Sequence, residues 1–180
     1  MIVETGAPGA AVSAIEEAKA YLRIEDENED ALIAGLIRAA TGLCEAFIGQ
    51  VLIARGFSET IAARADWQRL GRTPVRAISG VEGLPAEGAA FALPVDAYGV
   101  DVDANGDGWV RVLRPGVAGR AVVAFEAGIA VDWNGVPEPV RQGIVRLFAH
   151  LFTHRDVEDG SGPPAVVAAL WRPWRRMRLR

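Results

Sequence analysis

"DVDANGDGWVRV", residues 101–112, reads in two ways, and the fold turns on the choice. Its first half puts Asp101, Asp103, Asn105, Gly106 and Asp107 on the ligand and turn positions of a calcium loop, which sits between two helices. The closing position of such a loop, where a bidentate glutamate belongs, is Val112. The flanks, "AYGVDV" and "WVRVL", alternate as strands do, and Asn105-Gly106 and Asp107-Gly108 are strong hairpin-turn pairs. The stretch is therefore expected to be a β-hairpin tip. Asp101, Asp103 and Asp107 fall short of the roughly six to eight oxygen ligands that calcium takes.

The texture around the hairpin is the same from about Val51 to Val131. Short apolar or alternating runs ("VLIARGFSETIAAR", "PVRAISGVEGL", "AAFALP", "RAVVAFEAG") are broken by glycine, proline and aspartate, as in several short antiparallel strands. Helical periodicity lies on either side. Upstream, "SAIE" puts Ser13 at an N-cap with Glu16 three residues on. After the acidic turn "EDENED", a long helix is expected over about 29–48, closed by Gly49. Its broad apolar face comprises Leu32, Ile33, Leu36, Ile37, Ala40, Leu43, Cys44 and Phe47.

A second line on this helix holds only small residues: Gly35, Ala39, Gly42 and Ala46. Interior glycine costs about 1 kcal/mol relative to alanine. Two of them imply close approach of another helix, from the same chain or from a neighbouring subunit. Downstream, Pro137 or Pro139 opens a helix whose stripe is Val140, Ile144, Leu147, Phe148, Leu151 and Phe152. A hinge, "EDGSG", leads to a last short helix broken by Pro173.

The expected class is α+β: an antiparallel helical bundle, an inserted antiparallel β-strand region and a C-terminal helical or extended tail. The expected divisions are a flexible N-terminal arm over 1–12, the bundle over 13–54 and 136–157, a β-rich lobe over 55–135 and a docking tail over 158–180.

Composition narrows the function. The chain has 180 residues, half of them apolar, enough for one substantial core. No apolar run looks long enough to span a bilayer, and no secretory signal is evident. A lone cysteine, Cys44, leaves no internal disulfide. His150 and His154 lie four apart on the same helix, but a zincin needs glutamate after the first histidine and this chain has Leu151. They read as interface or core-edge residues. No nucleophile elbow and no phosphate-binding glycine loop is present, so nothing argues for an enzyme, a cofactor or a bound metal.

The charge is uneven. The last ten residues, "WRPWRRMRLR", carry five of the 19 basic residues and none of the 23 acidic ones, in a chain of net charge −4. An acidic body with a basic, tryptophan-bearing end suggests that the end has its own partner. Tryptophan and arginine dominate protein–protein hot spots. The same mix could hold nucleic acid by phosphate contact and stacking, lie on a membrane surface, or serve only as a solvated basic end.

The order of segments resembles a known family. "AIEEAKAYLRIEDENEDALIAGLIRAATGLCEAFIGQVLI" is similar to the start of tailed-phage head–tail connector proteins, also called adaptor or head-completion proteins. "VVAFEAGIAVDWNGVPEPVRQGIVRLFAHLFTHRD" resembles the family's second pattern, and "PPAVVAALWRPWRRMRL" its C-terminal segment. The same component occurs in prophages and gene-transfer agents.

The resemblance implies a ring, usually of twelve subunits, mounted under the portal of a DNA-filled capsid. The ring extends the channel through which DNA passes without sequence-specific binding, and it offers a platform to a tail-side stopper or terminator protein. Assembly in the bacterial cytoplasm, then residence at the head–tail junction, follows from the same likeness, with no membrane partner. Carried onto this chain, the portal-docking element is 170–180: Leu170, Trp171, Arg172, Trp174, Arg175, Arg176, Met177, Arg178, Leu179 and Arg180. The helices over about 29–48 and 140–154 build the bundle, with Gly35, Ala39, Gly42 and Ala46 as the subunit contact.

Overall fold

The computed structural model describes residues 1–5, 11–26, 28–154 and 162–176. Helices and antiparallel sheets are both present, and the chain divides into two compact units. One unit is built from Met1–Ala7 and Ala54–Ile129, the other from Pro8–Ile53 and Ala130–Arg180.

Among the described residues the regular elements of the first unit are all strands. β1 (Ile2–Glu4), β2 (Arg55–Ala62), β8 (Ala118–Ala127), β4 (Val75–Pro85) and β5 (Phe91–Ala92) form one sheet in the spatial order β1-β2-β8-β4-β5. β3 (Gln68–Arg69), β7 (Gly108–Val112) and β6 (Tyr98–Val102) form a second, in the order β3-β7-β6. All pairings within both sheets are antiparallel. The register between β2 and β8 sets Phe57 against Phe125, with ring centres 5.7 Å apart. Irregularities along β4 at Val75/Ala77, Ile78/Gly80 and Leu84/Pro85 break its ladder with β8, as bulges do where a strand bends.

Main-chain hydrogen bonds join the two sheets. Leu70 N–H donates to Gly108 O at 2.8 Å, and Val75 N–H to Gly106 O at 2.7 Å. Gly108 is required here, since a Cβ would come within 2.9 Å of Leu70 Cδ1 and 2.8 Å of Val75 Cγ2. The core of the unit is Phe57, Leu70, Val75, Val81, Val110, Val112, Val123 and Phe125.

The N-terminal arm expected to be flexible contains β1, which pairs in register with β2 (Ile2 opposite Glu59, Glu4 opposite Phe57). Glu4 Oε1 also lies 2.7 Å from Arg55 Nε. Three residues are too few for a legible alternation, and pairing with a partner strand far along the chain makes the strand.

The second unit is mainly helical, with α1 (Val12–Leu22), α2 (Asp30–Ile48), α3 (Glu138–Thr153) and α4 (Ala165–Trp171), followed by a 3₁₀ turn at Arg172–Trp174. The reciprocal cap of Ser13 and Glu16 does not form. The helix begins at Val12 with Ala11 as N-cap, which places Ser13 already inside the first turn. Ala11 O instead receives Ala14 N–H at 2.9 Å and Ile15 N–H at 3.2 Å. Gly49 closes α2 as expected, at φ 71°, its N–H donating to Glu45 O.

Lys19 Nζ lies 2.6 Å from Asp30 Oδ1 and ties α1 to the start of α2. Trp133 Nε1 donates to Glu17 Oε2 at 2.8 Å and ties α1 to the loop before α3. Trp133, expected at the end of the β-rich lobe, therefore belongs to the helical unit, as does Val136, expected there. So do residues 162–176, expected within a separate tail. At 19 residues, α2 is by length and composition apolar enough to cross a membrane, contrary to the expectation that no run is. Its buried line, Ile33, Ile37, Ala40, Cys44 and Ile48, is that of a core helix, and α2 packs against α3.

Candidate functional site

A flank of α2 beside its buried line is also apolar, and it is largely exposed. Leu32, Leu36, Ala39, Leu43 and Ala46 recur with alternating steps of four and three, the spacing of a coiled-coil seam. Leu32 is 40% exposed and Leu43 48%; Ala39 and Ala46 are exposed, and Leu36 is half-buried. The expected single broad face is thus two faces. The isoleucines, Ala40 and Cys44 are in the core, while Leu32 and Leu43 face outward.

The small-residue line borders this seam. A Cβ on Gly42 would have nothing within 4 Å, and one on Gly35 would meet only the Arg38 guanidinium of the same helix, at 3.9 Å. Among the described residues, then, no neighbouring element of the chain requires either glycine. Their helix-propensity cost of about 1 kcal/mol each relative to alanine is not offset by a close approach of any other element among the described residues.

The C-terminal segment divides into residues that serve the fold and residues that face solvent. Trp171, expected on a docking surface, is fully buried in the helical unit. Its indole Nε1–H donates to Val140 O at 3.1 Å, and its ring lies directly against Gly143 of α3, where any Cβ would overlap it. Phe47 of α2 packs on the other side at 5.8 Å between ring centres. The apolar and polar ends of an indole both need satisfying on burial, and α3 satisfies both with a missing side chain and a carbonyl.

Leu170, Trp174 and Arg176 are half-buried, whereas Arg172 and Arg175 are exposed. Met177, Arg178, Leu179 and Arg180 lie outside the described residues. Sequence reasoning missed Gly143 and Gln50, which hold this segment. The one available signal was a glycine inside the α3 stripe.

The other candidates resolve as structural features. Asp103 Oδ1 accepts the Asn105 and Asp107 N–H groups, both at 2.9 Å, and Oδ2 accepts Trp109 Nε1–H at 3.1 Å. The carboxylate is spent on its own turn, with Gly106 at φ 74° and β6 paired to β7 on either side. This is the hairpin tip expected from residues 101–112.

His150 and His154 stack at 4.5 Å between ring centres at the end of α3, and His154 Nδ1 lies 3.1 Å from His150 O. Among the described residues no group of three or more His, Cys, Asp or Glu side chains is placed to hold a metal ion. Cys44 is fully buried in α2, and burial pushes its thiol well above its ordinary range, which keeps it a neutral core group.

The chain is thus a two-unit α+β fold whose longest helix leaves an apolar seam exposed. Residues 13–81, from α1 into β4, match the family model described as "Phage gp6-like head-tail connector protein". The fold is similar across the whole chain to three solved structures. "Neck of empty GTA particle computed with C6 symmetry" matches at TM-score 0.81 and 25% identity. "Virion of native gene transfer agent (GTA) particle" matches at 0.78 and 25%. "Neck of native GTA particle computed with C12 symmetry" matches at 0.79 and 24%. Each match covers 100% of this chain and 97% of the other. No curated protein matches. The family match over 13–81 and the likeness of the whole fold to gene-transfer-agent necks together support a head–tail connector.

Proposed function

We propose that the chain is the adaptor subunit of a ring, of twelve copies, mounted under the portal of a phage or phage-like particle. The ring extends the DNA channel, links the capsid to the tail and presents a platform to a tail-side stopper or terminator protein. Subunits are made in the bacterial cytoplasm and end at the head–tail junction. The observation that carries this reading is the likeness, along the full length of the chain, to the subunit of a gene-transfer-agent neck.

The uncovered seam of α2 supports lateral contact between copies. An apolar helix with one face in its own core and a second face edged by Gly35, Ala39, Gly42 and Ala46 suits close packing against a neighbouring copy. A heterologous contact that closes by rotation makes a ring. On this reading the excess apolarity of α2 answers to a neighbouring subunit and not to lipid. The exposed arginines of the C-terminal segment, together with 177–180, dock on the portal. The acid-rich remainder of the chain suits a channel along which DNA slides, since like charge prevents sticking.

Leu43→Glu tests the lateral contact. The side chain is half exposed, so the monomer should keep its stability to within about 0.5 kcal/mol. The variant should bind a portal ring at isolated sites without filling it, as read from the mass of the complex. A variant that fills the ring as the natural chain does removes α2 from the subunit interface.

A further inference from the structure

Beyond Trp171 the chain is strapped across the end of α2. Gln50 Nε2–H donates to Trp174 O at 2.6 Å. Arg176 N–H donates to Ile48 O at 2.8 Å, filling one of the carbonyls that a helix C-terminus leaves without an intrahelical donor. The Arg175 guanidinium lies 5.6 Å from the centre of the Phe47 ring. The left-handed turn at Gly49 lets the strap pass close, with a Cβ there only 3.4 Å from Arg176 O. Phe47, Ile48 and Gln50 thus hold three residues in succession, immediately before 177–180 with their two further arginines.

The Trp171 seat does not account for this. A buried tryptophan fixes α4, yet it leaves the residues that follow free to turn in any direction. Gln50 adds nothing to the apolar core. Its part-buried amide acts on a main-chain carbonyl three residues past the tryptophan, and so on the path of the chain.

Resting on the portal-docking reading above, we infer that Gln50 is a positioning residue for docking. Through Trp174 O it fixes the path of the chain that carries the exposed Arg172 and Arg175. They then meet an acidic protein surface already aligned. A segment ordered before docking does not lose that freedom on docking, so releasing the strap should weaken docking roughly tenfold.

The test uses the full chain with Gln50→Ala and Gln50→Lys, the second keeping a donor of similar reach. Three quantities are measured: hydrogen exchange at the Arg176 amide, the melting midpoint, and affinity for the portal ring of the same particle. With Gln50→Ala the Arg176 amide should lose protection while α3 amides and the midpoint stay unchanged, and portal affinity should fall roughly tenfold. Gln50→Lys should restore most of it. A Gln50→Ala chain that binds as tightly as the natural one overturns the inference, whether or not the amide has lost protection. So does a loss of affinity with the Arg176 amide still protected. If the natural chain itself does not bind the portal, the docking reading falls and the positioning role with it. That failure is distinguished from the others by appearing in the unsubstituted chain.

Discussion

Gly143 gives up a side chain so that Trp171 can lie against the α3 backbone, and Val140 O accepts its indole N–H. Removing the ring should therefore cost more than an exposed tryptophan would. Trp171→Ala is expected to destabilise the helical unit by about 3–5 kcal/mol, the range for emptying a large aromatic site. Gly143→Val forces the ring out of place, and overpacking of this kind costs about 1–3 kcal/mol. Denaturant unfolding of the two variants measures both. A loss below about 0.5 kcal/mol for Trp171→Ala would return this residue to the docking surface. Trp171 was misread because sequence spacing places a tryptophan among arginines without showing which side of a seven-residue helix meets α3.

At the scale of elements, removing residues from the C-terminal end should have two distinct outcomes. A chain ending at Arg176 keeps α4, the Trp171 seat and the Gln50 bond, so it should melt as the full chain does and bind the portal more weakly. A chain ending at Gly162 also loses the core tryptophan and should melt at a lower temperature. Thermal melts of the two forms separate docking residues from folding residues, and equal midpoints would contradict the assignment of α4 to the core. Most elements were legible before the structure. α2, α3 and the strands around the 101–112 hairpin carry strong local periods and turn pairs. β1 and β3 were not legible, because two or three residues carry no period and exist through β2 and β7. The two faces of α2 were merged for a related reason. Isoleucine and leucine are equally apolar, and only tertiary packing shows that Ile33 and Ile37 lie inside while Leu32 and Leu43 lie outside.

For the whole molecule, the central claim is that this chain completes itself only in an assembly. On this reading its exposed seam meets neighbouring copies and the exposed arginines of its C-terminal segment meet the portal. The most direct measurement is electron microscopy of the purified full-length chain mixed with the portal ring of its own particle. The account predicts a second ring of twelve copies stacked on the portal, with α2 at the contact between neighbours and the C-terminal segment against the portal. A chain that stays monomeric in the mixture, leaving bare portal rings, would contradict it.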